Sequence, residues 1–103
     1  MNGNLACPHR KLEDLSPELV EIVRRVETRL GINLVIHSGA RCEECNKLIG
    51  GVPGSEHTTL PVEAVDIKIF DGRNRFNLIT EFLKEGVVRI GVAHTFIHIG
   101  IGK

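Results

Sequence analysis

Two stretches of the chain repeat their apolar residues at the spacing of an amphipathic helix. The first begins at Ser16-Pro17, where serine suits the N-cap and proline the first helical position, and ends at Gly31. Its apolar positions are Leu19, Ile22, Val23, Val26 and Leu30, and its water-facing ones are Glu21, Arg24, Arg25 and Glu27. The second follows Asp71 as N-cap and ends at Gly86. Its predicted buried stripe is Phe76, Ile79, Phe82 and Leu83.

Shorter apolar runs predict strands between and after these helices. The predicted strands are residues 32–36, 62–70, 87–93 and 96–101, with a short helix over 42–49 and an irregular arm over 1–15. The last two strands are close enough in sequence to pair as an antiparallel hairpin. The order of elements predicts a single α+β domain over residues 1–103, in which helices pack against a small antiparallel sheet.

One acidic residue and one histidine interrupt two of these apolar strands. Side chains alternate between the faces of a strand, so Asp66 and His98 point away from the aliphatic residues that flank them. His57 lies on the loop before the first of these strands. Two histidines and a carboxylate, with one position left for water, are typical of a catalytic zinc site. The alternative is that His98 is a hydrogen-bonded core histidine and Asp66 a buried turn or helix-capping acid.

The composition argues against several classes of protein. A chain of 103 residues fits one domain. Its net charge of zero gives no electrostatic reason to expect nucleic acid or a membrane surface as partner. The apolar runs are too short to span a bilayer, and the absence of Trp and Tyr argues against a stacking surface for bases or sugars. We expect a monomer.

Several short motifs stand in one order across most of the chain. They are Ser38-Gly39-Ala40-Arg41, Asn46, Gly50-Gly51, Ser55-Glu56-His57, Ala64-Val65-Asp66-Ile67 and Phe96-Ile97-His98. With them the chain resembles the zinc D-Ala-D-Ala carboxypeptidase family, which includes phage endolysin peptidases and shares its fold with the hedgehog signalling domain. The resemblance implies one catalytic Zn²⁺ held by His57, Asp66 and His98.

The resemblance also implies two residues that contact the substrate. Arg41 is expected to bind the terminal carboxylate of a peptide, a role that suits a planar guanidinium; otherwise it is a surface charge at a turn. Ser55 is expected to support the metal loop or to hydrogen-bond the substrate, and its alternative is a simple turn residue.

The loop between the first two expected ligands departs from the family pattern. Relatives commonly show Ser-x-His-x-x-Gly-x-Ala-x-Asp, whereas His57 and Asp66 are nine positions apart here and have no glycine between them. A loop absorbs two extra residues at small entropic cost. We therefore expect Asp66 to remain a ligand if its strand keeps its register.

The general base is a second departure. Relatives often carry an acid three residues before the last histidine or an Asp two residues after it, and Thr95 and Gly100 occupy those positions here. The candidates are His94, Glu56 and Glu63. In an extended strand His94 would lie about 13 Å from His98, beyond hydrogen-bond reach unless a turn folds it back. The sequence leaves the base unassigned.

The cysteines are a third departure. Cys42 and Cys45 directly follow Arg41, and Cys7-Pro8-His9 lies on the arm. Together Cys7, His9, Cys42 and Cys45 have the ligand types and number of a closed structural zinc site that would fix the arm near the pocket. The alternatives are a Cys7–Cys42 disulfide or three thiols without a special role.

The resemblance therefore implies a hydrolase, a zinc metallopeptidase of the carboxypeptidase type that acts on peptidoglycan stem peptides containing D-amino acids. The alternative is a non-catalytic zinc-binding module that retains the fold and metal but lacks the general base. A small nucleic-acid-binding or signalling domain is less favoured, because the chain has no basic patch. The N-terminal residues show no secretory signal, so we expect cytoplasmic synthesis and access to the cell wall after lysis or by assisted export.

Overall fold

The computed structural model describes residues 2–3, 14–39, 42–48, 50, 57–58 and 60–102. Over these residues the helices are α1 (Pro17–Leu30), α2 (Glu43–Leu48) and α3 (Gly72–Lys84). The strands are β1 (Asn2–Gly3), β2 (Val35–Ser38), β3 (Ala64–Lys68), β4 (Arg89–Val92) and β5 (Phe96–Gly100). The predicted α+β class and the order of elements are confirmed.

The strands form one sheet in the order β1-β2-β3-β5-β4. Strands β2, β3, β5 and β4 pair antiparallel, and β4 and β5 form the predicted hairpin. The first residues were expected to be irregular, but Asn2–Gly3 pairs parallel with β2. The expectation was wrong here because the pairing joins distant segments. A strand of two residues is too short to show a periodicity that would predict it.

One face of the sheet carries the core. Val65 and Ile67 of β3 and Ile97 and Ile99 of β5 are fully buried. They pack with the apolar face of α1 and with α3 in one cluster. The alternation expected for both strands is therefore confirmed, and Asp66 and His98 lie on the face opposite α1 and α3. We call this face the site face.

Helix α1 begins and ends where its sequence predicts, although its caps differ in detail. Gly31 closes it in the left-handed region, at φ 67°, which a residue without Cβ adopts easily. Ser16 occupies the N-cap position without a side-chain capping bond, and its N–H donates to the carbonyl of Val62 at 2.7 Å. Glu27 was expected to face water, but it is half-buried and accepts the N–H of Leu34 at 2.8 Å.

The buried stripe of α3 differs from the prediction. Phe82 is buried as expected, but Phe76 and Leu83 are 69% and 55% exposed, and Leu78 is fully buried instead. Both stripes satisfy helical spacing, so periodicity alone does not fix which side faces the sheet. Contacts with α1 accompany the observed rotation: the guanidinium of Arg29 donates to Glu81 and to Glu85, at 2.6 Å each.

Candidate metal centre

His57 lies on the loop before β3, and a backbone carbonyl from another segment holds its ring in place. Its side chain is 3% exposed, and its Nδ1 lies 2.7 Å from the carbonyl oxygen of Gly39. Because a carbonyl only accepts hydrogen bonds, Nδ1 carries the proton and Nε2 of the neutral ring keeps its lone pair. A backbone acceptor that fixes the ring in this way is typical of metal-binding histidines.

Asp66 and His98 are brought together by strand register. They are direct partners across β3 and β5, on the site face. Asp66 Oδ1 lies 2.9 Å from His98 Nδ1 and 3.4 Å from His57 Nε2. Asp66 is buried, whereas the side chain of His98 is 32% exposed. The cluster is therefore closed behind Asp66 and reaches solvent at His98.

Three ligand-type atoms converge in this cluster. His57 Nε2 and His98 Nδ1 are 3.3 Å apart, so the edges of the triangle with Asp66 Oδ1 are 2.9, 3.3 and 3.4 Å. In a tetrahedral site with bonds of about 2.0–2.1 Å, ligand atoms are roughly 3.3–3.4 Å apart. Two imidazole nitrogens and a carboxylate oxygen at these separations fit the donor set and size of a zinc site with one position left open.

The charge on Asp66 also suits a cation. Burial alone would raise the pKa of this carboxyl, but hydrogen bonds from His57 and His98 outweigh burial and lower its pKa to about 2. The residue is therefore ionised at neutral pH. Because Nδ1 of His57 donates to Gly39, the ring can also donate from Nε2 to Asp66 only when it is doubly protonated. In the neutral ring Nε2 keeps its lone pair, and Nε2 and the carboxylate 3.4 Å away can then bind one cation together.

The comparison with protein families agrees with this geometry. A family model described as Peptidase M15 matches residues 3–100, nearly the whole chain. The chain belongs to the peptidase M15 family. M15 peptidases are zinc-dependent, and the His57, Asp66 and His98 group is compatible with metal binding. No curated protein and no solved structure is significantly similar to the chain.

In this M15 chain the longer loop between His57 and Asp66 does not separate the three proposed ligands. Val62, within the inserted stretch, is fully buried and forms a parallel bridge with Leu15. Its N–H donates to the carbonyl of Asp14, and its carbonyl accepts from Ser16, both at 2.7 Å. This pairing fixes the chain just before β3, so the strand keeps the register in which Asp66 meets His98.

Several predicted M15 site residues lie outside the described residues: Cys7, His9, Arg41, Ser55 and Glu56. His94 is exposed and lies in the turn between β4 and β5, where its carbonyl accepts from Arg75. Glu63 directly precedes β3 and is half-buried, and its carbonyl accepts the N–H of Ile101. The assignment of a general base remains a prediction.

Sequence reasoning missed two glycines that shape the centre. Gly39 supplies the carbonyl that orients His57, and only the folded loop brings these residues together. Gly91 is the partner of His98 across β4 and β5, and a Cβ placed on it would lie 3.3 Å from the Cβ of His98. Aligning the predicted hairpin residue by residue could have found Gly91, because cross-strand partners share a face.

Cys42 directly precedes α2, and Cys45 lies in the first turn of this helix. The N–H of Cys45 points at Cys42 Sγ, 3.4 Å away, so the two cysteines share one turn. Cys45 is buried and Cys42 half-buried.

Of the described helices, none has the length and apolarity that would let it cross a membrane.

Proposed function

We propose that this M15 protein is a zinc-dependent peptidase that hydrolyses peptidoglycan stem peptides containing D-amino acids. The observation that carries the proposal is the triangle of His57 Nε2, Asp66 Oδ1 and His98 Nδ1, with edges of 2.9–3.4 Å. Zinc bound there would act as a Lewis acid on the scissile carbonyl and would activate water.

The three proposed ligands contribute differently to the site. His57 is held by Gly39 and buried, so it fixes the depth of the metal. Asp66 supplies the negative charge that offsets part of the cation's charge in a buried position. His98 is the most exposed of the three, and substrate therefore reaches the centre on its side.

Two further roles come from the resemblance to the D-Ala-D-Ala carboxypeptidases. Arg41 would bind the terminal carboxylate of the peptide through paired hydrogen bonds, which places the scissile bond at the metal. Glu56 and His94 are the proposed alternatives for the group that accepts the proton of the attacking water. Glu56 is the better placed in sequence, because it directly precedes His57.

The test is hydrolysis of a peptide that ends in D-Ala-D-Ala, measured with zinc and with a chelator. We expect release of D-Ala that chelation abolishes and added zinc restores. The Asp66→Ala variant should release none, whereas Asp71→Ala, which removes a helix-capping aspartate outside the metal cluster, should retain turnover. Cleavage of an L-Ala-L-Ala peptide at the same rate would contradict the proposed substrate class.

The second candidate function is a zinc-binding module without catalysis. The observation that favours it is that neither of the positions where relatives often carry an acid has one here. Thr95 is exposed at the hairpin turn, and Gly100 has no side chain. One equivalent of bound zinc with no turnover of any D-amino-acid peptide would decide for this module. Loss of turnover in Glu56→Gln with zinc retained would decide for the enzyme.

The proposed substrate also determines where the protein would act. Peptidoglycan lies outside the cytoplasmic membrane, so we propose that the protein meets its substrate at the cell wall, after lysis or assisted export. Fractionation of producing cells tests this: the protein should be cytoplasmic before lysis. Its appearance in the periplasm or medium of intact cells would contradict passive release.

A further inference from the structure

A pair of stacked rings borders the metal centre on the site face. The imidazole of His37 and the phenyl ring of Phe96 lie 4.6 Å apart between centroids, with 11° between their planes. His37 lies between Ile36 and Ser38 in β2, where the register with β3 shifts, and Ser38 pairs with Asp66. The stack with Phe96, which shares the face of His98, places the His37 ring on the site face. The contact joins β2 to β5 across β3, because β3 lies between these strands in the sheet.

The stack lies directly beside the proposed ligands. Phe96 and His98 share a face of β5 two residues apart, which corresponds to about 6.7 Å along a strand. His37 is exposed and Phe96 half-buried, so part of the stack faces solvent next to the exposed side of His98. A flat, rigid surface at this position can contact a molecule that approaches the metal.

The opposite side of His98 is open by comparison. Its partner on β4 is Gly91, and a side chain there would begin 3.3 Å from the Cβ of His98. Farther along β5, Gly100 pairs with Ala64, and both of these residues are buried. The open side of His98 is therefore the one at the exposed Gly91, and the ring stack borders the centre at Phe96. An extended peptide could lie over the glycine side with one side chain turned toward the rings.

We propose that the His37–Phe96 stack is the specificity-determining wall of the substrate site, and that it contacts the apolar side chain next to the scissile bond. This inference rests on the proposed peptidase function. A planar imidazole on a phenyl ring offers apolar surface in a fixed orientation, which favours a methyl group such as that of D-Ala over a glycine hydrogen. The stack takes no part in holding the metal.

The experiment compares two peptides that differ only in D-Ala or Gly at the residue before the scissile bond. For the zinc-loaded protein we expect kcat/KM to favour D-Ala by about tenfold, the lower end of what one methylene contributes to specificity. His37→Ala should reduce this ratio to near one, and His37→Phe should keep it because a planar ring remains. The control Phe76→Ala, on the exposed side of α3, should leave it unchanged. Zinc affinity should be unchanged in all three variants.

A second measurement does not depend on turnover. In the metal-free protein, titration with the D-Ala peptide should shift the NMR signals of the His37 ring, and the Gly peptide should shift them less. The proposed wall would be wrong if the NMR signals of the His37 ring did not shift. It would also be wrong if His37→Ala kept the D-Ala preference with zinc still bound. Loss of zinc binding in the wild type would instead overturn the proposed function, and the titration would still report on the stack.

Discussion

At the scale of single residues, the centre depends on one carboxylate held between two imidazoles. Asp66 has a pKa of about 2, against 3.8 for an unperturbed aspartate, because hydrogen bonds from His57 and His98 outweigh its burial. Since the folded protein holds this group more acidic than the unfolded chain does, its ionised form stabilises the fold. The contribution is complete above about pH 4 and is lost as the pH falls through 2.

This sign gives a prediction for the metal-free protein. The difference in free energy of unfolding between the wild type and Asp66→Asn should narrow as the pH falls from 4 to 2, where the carboxyl of Asp66 becomes protonated. Urea unfolding at each pH measures it. The carboxyl ¹³C shift of Asp66 should titrate near pH 2, and a midpoint at or above 3.8 would contradict the hydrogen-bonded arrangement.

At the scale of elements, the rotation of α3 about its axis decides which residues form the core. Leu78 and Phe82 face the sheet, whereas Phe76 lies on the exposed side of the same helix. Between α1 and α3, Arg29 donates to Glu81 and Glu85, and these hydrogen bonds lower the pKa of both carboxyls. Polar contacts between helices thus accompany the apolar packing beneath them.

Two phenylalanines on α3 test this rotation. Phe82→Ala should lower the free energy of unfolding by about 3–5 kcal/mol, because it leaves a cavity in the core. Phe76→Ala should change it by less than about 0.5 kcal/mol, as expected for an exposed position. Denaturant unfolding measures both. Equal losses in the two variants would mean that the predicted stripe, which included Phe76, was right.

The turn that opens α2 provides another prediction at this scale. We propose that Cys42 and Cys45, which share one turn, bind a second, structural zinc together with Cys7 and His9. A Cys-x-x-Cys pair within one turn is the local signature that supports this.

Metal analysis distinguishes the possibilities. The native protein should contain two equivalents of zinc, and Cys45→Ser should contain one. His57→Ala should lose the other equivalent, which separates the two sites. One equivalent in both the wild type and Cys45→Ser would rule out the second site, and a thiol titration that finds one reactive group in the unfolded, unreduced chain would establish the disulfide instead.

At the scale of the whole molecule, the proposed metal joins parts of the chain that are distant in sequence. His57 comes from a loop, Asp66 from β3 and His98 from the last strand, and Gly39 beyond the end of β2 orients the first of them. A ligand that binds only the folded state stabilises it. Folding and metal binding should therefore be coupled in this protein.

Thermal unfolding tests the coupling without a substrate. Free zinc at about 100 times its Kd should stabilise the protein by roughly 2.7 kcal/mol, which corresponds to a rise in Tm of about 10 °C or more for a chain of this size. In a Cys45→Ser background, which removes the proposed second site, His57→Ala and His98→Ala should show no such rise. A full rise in Asp66→Ala in the same background would show that the ligand set is wrong.

The sequence by itself determined the features that depend on local physical chemistry. Proline at the start and glycine at the end set the bounds of α1, and the alternation of β3 and β5 placed Asp66 and His98 on one face. The tertiary structure alone decided the rotation of α3, the pairing of β1, the carbonyl that orients His57 and the stack of His37 on Phe96. These four depend on which distant segments pack together, and local periodicity carries no information about that packing because more than one arrangement satisfies it equally well.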